Sequence, residues 1–202
     1  YWVEIVGAAV GILVDAGSQS YWYAIDFRWT GTKWVYRSID DMPGEILITG
    51  VDGERVILQR YEADVGHETL GVMQAMDGNN RDEIIHLRQK ADHFADQMRT
   101  GFLSKNDAWF ALTATIMKTM EYPMATTTML EKEWNYIMAP ILLSGLPRAG
   151  IDRNFPRAIL YGPKSLQGFG IMHPWYHQEL THLKDCIKST YHGGITGSLI
   201  TA

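Results

Sequence analysis

The pattern of apolar and polar residues divides the chain into a short helical stretch, a strand-rich stretch and a longer helical stretch. Residues 2–15 place apolar side chains at intervals of three and four, and Gly17 follows them, so they predict one amphipathic helix. Tyr21, Tyr23, Ile25 and Phe27 then recur at every second position, which is strand spacing, and 33–37 can run back after a Thr-Gly-Thr turn. This alternation predicts a first β-hairpin.

Two further strand signals come before residue 75. The dipeptide Asp52-Gly53 is a strong turn signal between apolar arms at 45–49 and 55–59, so it predicts a second hairpin. A further short apolar strand is predicted at Leu70-Gly71-Val72-Met73.

Beyond Asn79 the pattern has the period of a helix and predicts three successive amphipathic helices that form a small antiparallel bundle. The apolar stripes of the three helices are Ile84, Leu87, Ala91, Phe94 and Met98, then Trp109, Leu112, Ile116 and Met120, then Leu130, Trp134, Ile137 and Ile141. A fourth helix is predicted from Pro174 to Lys188, and the tail 193–202 is predicted to be loose.

Residues that are typical of helix ends define the boundaries of the predicted helices more closely. The pairs Asn80 with Glu83, Ser104 with Asp107, and Thr128 with Glu131 have the spacing of N-terminal caps. Gly101 and Pro123 are expected to end the first and second helices of the bundle. Pro140 is expected to kink or shorten the third. The fold class is therefore α+β: an N-terminal helix and small antiparallel sheet, then a three-helix bundle.

The chain has 202 residues, one cysteine and a net charge of −5. The single Cys186 excludes an intramolecular disulfide framework and indicates a reducing, intracellular setting, whether nuclear or cytoplasmic. No apolar run is long enough to span a membrane. Because the chain begins with Tyr1 rather than Met, we expect it to be a piece of a longer polypeptide.

Positive charge is concentrated late in the chain. Residues 1–70 carry five basic and eleven acidic side chains, whereas residues 71–202 carry thirteen basic and twelve acidic ones. The segment 146–171 is rich in proline and glycine and is predicted to be irregular. Its cations are Arg148, Arg153, Arg157 and Lys164, and Asp152 is the opposing acid. These cations could contact a phosphate backbone, or they could be solvated or paired in a rigid connection.

Two other clusters have weaker chemical interpretations. Asp40-Asp41 has the form of a metal-binding carboxylate pair, but a solvated loop is the favoured interpretation, because Ser38 stands where a polymerase turn has an aromatic residue. His173, His177, His182 and Cys186 have ligand-like gaps, but Pro174 interrupts the run and no CxxC half-site accompanies it. Ordinary core or interfacial histidines are therefore favoured over a zinc site.

Several short motifs, taken in order, resemble one family. They are Trp22-Tyr-Ala-Ile-Asp-Phe27, Thr69-Leu-Gly-Val72, Asp77-Gly-Asn-Asn80, Arg99-Thr-Gly-Phe-Leu-Ser104, Leu146-Pro-Arg-Ala-Gly-Ile151, Asn154-Phe-Pro-Arg157, Tyr161-Gly-Pro163 and Gln167-Gly-Phe-Gly170. This ordered set resembles the reverse transcriptase of eukaryotic non-LTR-type retrotransposons, of the kind found in algae, diatoms and fungi. The resemblance covers the region after the catalytic Asp-Asp turn, from about Trp2 to His182.

The resemblance implies a role for each part of the chain. Residues 1–75 would be the end of the palm and the primer grip, with Leu70, Gly71 and Val72 positioning the primer end. Residues 76–145 would be the thumb, and 146–202 the connection and a C-terminal helix. Arg148, Arg153, Arg157 and Lys164 are then implied contacts to a template–primer duplex of RNA and DNA.

The resemblance also implies that this chain is not catalytic by itself. The paired aspartates of the family would lie in preceding polypeptide, together with the remaining palm and the fingers. No cofactor is therefore expected on this chain, and Mg²⁺ is expected for the complete polymerase. Gln19 stands where the family tends to have a lysine that assists pyrophosphate departure. The alternative is a structural or protein-interaction module derived from a retroelement.

Overall fold

A computed structural model describes residues 21–49 and 53–202. The predicted helix at 2–15, Gly17, Gln19 and the first residue of the Asp52-Gly53 turn lie outside the described residues. The chain divides into two compact units, one ending at Asn79 and the other spanning Asn80–Ala202. The chain is of mixed α+β class, as predicted, with the described strands in the first unit and the described helices in the second.

In the described part of the first unit, 21–49 and 53–79, the strands form four pairs. The strands are β1 (Tyr21–Trp22), β2 (Phe27–Trp29), β3 (Trp34–Tyr36), β4 (Leu47–Thr49), β5 (Arg55–Ile57), β6 (Gln59–Arg60), β7 (His67–Thr69) and β8 (Val72–Gln74). Three of the pairs are antiparallel hairpins, β2–β3, β4–β5 and β7–β8, and β1 pairs in parallel with β6.

The first two predicted hairpins are present, with shorter arms than the alternation suggested. Phe27 pairs with Tyr36, and Leu47 pairs with Ile57. The predicted strand at 21–27 is interrupted, because Tyr21–Trp22 pairs with β6 and residues 23–26 leave the extended ladder. Tyr21 and its parallel partner Gln59 are 38 positions apart, so local sequence patterns could not predict that they pair.

A half-buried tyrosine, Tyr36, and a glutamate, Glu62, tie the loops of this unit together. The Tyr36 hydroxyl donates to Glu62 Oε2 at 3.0 Å and accepts from the Ala63 amide at 3.2 Å. The other Glu62 oxygen accepts from the Ile39 amide at 2.8 Å. Burial raises the pKa of Tyr36, which keeps the hydroxyl protonated and able to donate.

The second unit is helical. Its elements are α1 (Arg81–Thr100), α2 (Lys105–Phe110), a π-helical segment (Ala111–Ile116), α3 (Met117–Glu121), a 3₁₀ turn (Tyr122–Ala125), α4 (Glu131–Arg148), α5 (Arg157–Tyr161), a 3₁₀ turn (Lys164–Leu166), α6 (Pro174–His192) and α7 (Ile195–Thr201). The stretch from α2 through α3 is one continuous helix with a wider turn in its middle. Helix α1 packs along α4, and this pair forms the centre of the bundle.

The predicted apolar stripes form the core of this unit. The buried side chains are Leu87, Ala91, Met98, Ala108, Leu112, Ile116, Met117, Met120, Met124, Met129, Trp134, Ile137, Met138, Ile141, Leu142, Leu146, Leu160 and Ile171. Leu130 departs from its stripe, because it lies at the start of α4 and is 54% exposed. Trp109 is half-buried and packs against the core from its edge.

Of the three predicted N-terminal caps, one is present and two are wrong. Ser104 caps α2 as expected, because its Oγ accepts from the Asp107 amide at 3.2 Å. The Asn80–Glu83 box is wrong, because the Asn80 side chain does not cap α1 and its Nδ2 instead donates to Thr128 Oγ1 at 3.2 Å. The Thr128–Glu131 box is also wrong, since α4 begins two residues later, where the Leu130 amide donates to Glu133 Oε2 at 2.7 Å.

Proline affects the helices differently at its two predicted positions. Helix α3 ends at Glu121, next to the 3₁₀ turn that contains Pro123, as predicted. Helix α4, by contrast, continues through Pro140 to Arg148, so the predicted shortening is wrong. Ile137 and Ile141, the core residues on either side of Pro140, are fully buried. Their packing offsets the backbone donor that proline lacks.

The segment 146–171 and the tail contain more helix than predicted. Leu146, Pro147 and Arg148 form the last turn of α4, and Arg157–Tyr161 forms the short helix α5. The predicted fourth helix is present as α6 and extends to His192, four residues beyond its predicted end. The tail is not loose throughout, because Ile195–Thr201 folds as α7 against α6.

Candidate nucleic-acid interface

The four predicted cations of segment 146–171 have different environments. Arg148 is half-buried at the end of α4, and its Nη2 donates to the Gly101 carbonyl at the C-terminus of α1. A guanidinium at this position offsets the partial negative charge of a helix end and satisfies a carbonyl that lacks a partner within the helix. The geometry gives Arg148 a role in joining α1 to α4.

Arg153 and Arg157 lie together on the surface. Both side chains are exposed, and Arg157 Nη2 donates to the Arg153 carbonyl at 3.1 Å. Helix α5 begins at Arg157, directly after Pro156 has fixed the preceding backbone. The two guanidinium groups therefore approach solvent from one short turn, which suits contact with consecutive phosphates.

Lys164 is exposed at the start of the second 3₁₀ turn, and its methylene groups lie against the Gly170 backbone. A further exposed cation, Lys105, comes from a distant part of the chain and was not predicted. An ideal Cβ on Gly150 would lie 2.9 Å from Lys105 Cδ, so this side chain runs across the turn after α4. No local signal identifies Lys105, because its position depends on how α2 packs beside that turn.

Gly162 and Gly168 bring two stretches of backbone inside segment 146–171 into contact. An ideal Cβ on Gly168 would lie 2.2 Å from the Gly162 carbonyl oxygen, so the two backbones cross with no room for a side chain. The Gly170 amide donates to the Gly162 carbonyl at 2.8 Å, and the Phe169 amide donates to the Ile159 carbonyl at 3.0 Å. Residues 162–170 therefore form a closed loop that presents the exposed Lys164 to solvent.

A cleft of about 520 Å³ lies next to Arg157. Arg157, Tyr161, His173 and Tyr176 line it together with residues of α4, among them the acid Glu131. The His173 ring lies 4.6 Å from the Tyr161 ring and 4.8 Å from the Tyr176 ring, measured between centroids. The cleft thus combines one guanidinium with three adjacent rings, and Tyr176 is 57% exposed.

Two polar groups of the cleft, His173 and Tyr161, are held in their neutral forms, and an acid, Glu131, lines the cleft as well as Arg157. Burial lowers the pKa of His173, although Glu131 opposes the shift, and the buried Nδ1 has no hydrogen-bond partner among the described residues. Burial raises the pKa of Tyr161, against the effect of Arg157. Near neutral pH, Arg157 therefore supplies the positive charge of the cleft.

The three predicted primer-end residues lie at the tip of the β7–β8 hairpin. Leu70 and Gly71 form the turn with φ angles of 51° and 83°, and Val72 begins β8 as a buried residue. The expectation that Leu70 and Gly71 continue a strand is wrong, because a two-residue hairpin of this hand needs positive φ at both central positions. Leu70 is 86% exposed at the tip.

The substitution Leu70→Asn is expected to stabilise this hairpin. A leucine with positive φ costs about 1 kcal/mol relative to residues that tolerate this region, and asparagine is one of them. Hydrogen exchange of the β7–β8 amides in the full chain is expected to slow by about fivefold.

The matched control is Leu47→Asn, which changes an equally apolar but extended residue that is 49% exposed on β4. This control is expected to leave exchange in β7–β8 unchanged. Faster exchange in Leu70→Asn would contradict the strain assigned to Leu70.

The four candidate zinc ligands are not brought together. His177 Nε2 lies 3.0 Å from Glu121 Oε1, His182 Nε2 lies 2.9 Å from the Met124 carbonyl, and Cys186 is exposed. His173 is in the aromatic cleft. Within 21–49 and 53–202, no group of three or more His, Cys, Asp or Glu side chains is arranged to hold a metal ion.

The acidic pair lies in the solvated loop favoured by the sequence. Asp40 and Asp41 are both exposed, and the Asp41 carbonyl accepts from Arg37 Nη2 at 2.8 Å. The Asp41 amide donates to the Ser38 carbonyl at 3.1 Å, which closes the turn.

Comparison of the chain with protein-family models, with curated proteins and with solved structures identifies no match. In the described part of the chain, no helix has the length and apolar character that crossing a bilayer requires.

Proposed function

We propose that this chain is the primer-grip, thumb and connection region of a reverse transcriptase-like protein, and that it positions an RNA/DNA template–primer duplex. In this proposal the catalytic aspartates and the Mg²⁺ that they bind belong to other parts of the polymerase. The chain then contributes binding and orientation, which in phosphoryl transfer account for much of the rate enhancement.

The observation that carries the proposal is the pair Arg153 and Arg157 beside an aromatic cleft. Nucleic acid offers two features to a protein without sequence preference, the charged backbone and the flat faces of its bases. Two adjacent exposed guanidinium groups suit the backbone, and the exposed Tyr176 ring suits a base face. Two further cations are exposed, Lys164 in the same connection and Lys105 across the turn that follows α4.

The β7–β8 hairpin supports the proposal from the other unit. A primer end is best held by backbone groups, since these reach the sugar and phosphate without reading the base. A tight turn with glycine at its second position allows close approach of that backbone. Leu70 and Gly71 form such a turn, with Leu70 exposed.

The proposal predicts that the double variant Arg153→Ala/Arg157→Ala binds duplex more weakly. At ~0.1 M salt the dissociation constant for an RNA–DNA duplex is expected to rise by roughly 50-fold, because two phosphate contacts are lost. The slope of log affinity against log salt is expected to fall by about two. Fluorescence anisotropy of a labelled duplex, measured over a salt series, gives both quantities.

The control is Arg28→Ala/Lys33→Ala, which removes the same charge from exposed positions in or next to the β2–β3 hairpin. It is expected to change the affinity by less than about threefold and to leave the salt slope unchanged. Equal loss in both double variants would mean that only net charge matters. Undiminished binding by Arg153→Ala/Arg157→Ala would refute the assigned contacts.

The alternative, a protein-interaction module, is favoured by a different observation. The side of α6 that faces away from the bundle is apolar and exposed, with Leu180 at 62% and Ile187 at 61% exposure. Exposed apolar patches of this kind mark interaction sites.

A further inference from the structure

Helix α6 has two apolar sides. One side packs on the bundle through Pro174 and Gln178, which are buried. The other side carries Leu180, Leu183 and Ile187, with exposures of 62%, 56% and 61%. Nine residues at about 100° each place Ile187 directly opposite Gln178 around the helix. A surface helix needs only one apolar side to dock on its own core, so the second side requires another explanation.

The exposed side has the spacing of a coiled-coil seam. Leu180, Leu183 and Ile187 are separated by three and then four residues, as at the a, d and a positions of a heptad. Tyr176, four residues before Leu180, extends the same stripe and is 57% exposed. Isoleucine and leucine at these positions favour paired helices.

The C-terminal half of α6 extends beyond the core. Residues 183–188 are all exposed, and among the described elements α7 packs most extensively on this helix. The N-terminal half is anchored, since Gln178 Oε1 accepts from Trp134 Nε1 at 2.9 Å. The helix is therefore already formed before any partner arrives, which removes the nucleation cost that makes short isolated coiled coils unstable.

We propose that this face is a self-association site, at which α6 of one molecule pairs in parallel with α6 of a second copy. The charges that flank the seam suit this arrangement. With Leu180 at an a position, Glu179 is at g and Lys184 is at the following e. In a parallel pair, g of one helix lies beside the next e of the other, so Glu179 meets Lys184 of the second copy, twice by symmetry.

The same charges disfavour the opposite orientation. An antiparallel pair places g beside g and e beside e, so that glutamate would face glutamate and lysine would face lysine. Glu179 and Lys184 of one chain therefore complement Lys184 and Glu179 of a second copy, and they do so only when the two helices are parallel. For this reason we assign a second copy of the chain as the partner. This inference does not depend on nucleic-acid binding.

The test is the oligomeric state of the full chain without nucleic acid. Sedimentation equilibrium between roughly 1 µM and 1 mM is expected to show a concentration-dependent dimer. Leu183→Glu/Ile187→Glu is expected to be monomeric over this range, with an unchanged circular dichroism spectrum, because both positions are solvent-exposed in the monomer. Lys188→Glu, a charge change outside the seam, is expected to leave the dimer unchanged.

A charge exchange separates self-association from binding to a different protein. Glu179→Lys alone and Lys184→Glu alone are each expected to weaken the dimer by about fivefold or more, since each creates two like-charge pairs. The double variant Glu179→Lys/Lys184→Glu is expected to recover most of the affinity. A chain that stays monomeric at all concentrations, or a double variant as weak as the single ones, would overturn the proposal.

Discussion

Replacing Gln178 by methionine is expected to lower the free energy of unfolding of the helical unit by about 4 kcal/mol. The Gln178 side chain is fully buried and accepts from the Met129 amide at 3.1 Å and from Trp134 Nε1 at 2.9 Å. Its Nε2 donates to the Met129 carbonyl at 2.9 Å. Methionine matches the shape of glutamine but leaves three buried polar groups unsatisfied, each at a cost of about 1–3 kcal/mol.

Urea denaturation monitored by circular dichroism at 222 nm measures this effect in the full chain. The control is Lys188→Met on the same helix, an exposed position where the change is expected to stay within about 0.5 kcal/mol. A Gln178→Met variant as stable as this control would show that the buried groups find other partners. It would also show that Gln178 does not fix α6 against α4.

The substitution Gly168→Ala is expected to destabilise the same unit by about 3 kcal/mol. A Cβ at this position would lie 2.2 Å from the Gly162 oxygen and 2.3 Å from the Gly162 carbonyl carbon. Both atoms belong to backbone, so no side-chain rotation relieves the overlap. The two segments must separate, which withdraws Phe169 and Ile171 from the core that they contact.

Gly145→Ala is the matched control, because it adds the same methyl group within the same unit. Its Cβ would meet Leu112 Cδ1 at 3.5 Å and Met98 Cε at 3.6 Å, which are ordinary contact distances. Because alanine is also the better helix former, this variant is expected to be neutral or more stable by up to about 1 kcal/mol. Similar losses in both variants would contradict the steric argument for Gly168.

The sequence predicted those parts of the fold that depend on local periodicity. The buried positions Leu87, Leu112 and Ile137 follow from the 3.6-residue pattern, which each helix carries within itself. The cap at Asn80 was misjudged because a tertiary partner, Thr128, takes its side chain. The length of α4 was misjudged for a similar reason, since packing around Pro140 outweighs the local preference of proline.

The candidate interface, like the fold, was predicted only where residue type and local spacing were sufficient. Residue type and spacing were enough to nominate Arg153, Arg157 and Lys164, and the structure leaves all three exposed. The sequence could not distinguish Arg148 from them, because its partner, Gly101, lies 47 residues earlier in the chain. The aromatic cleft was not predicted either, since it exists only where α5 and the start of α6 meet α4.

The core of the helical unit contains an unusual number of thioether side chains. Six of the ten methionines are buried there, at positions 98, 117, 120, 124, 129 and 138. Conversion of a methionine to its sulfoxide turns a flexible apolar group into a polar one. Peroxide can reach these six sulfur atoms only when the helices part, so their oxidation depends on how often the helical unit opens, and each oxidised sulfur then hinders its closing again.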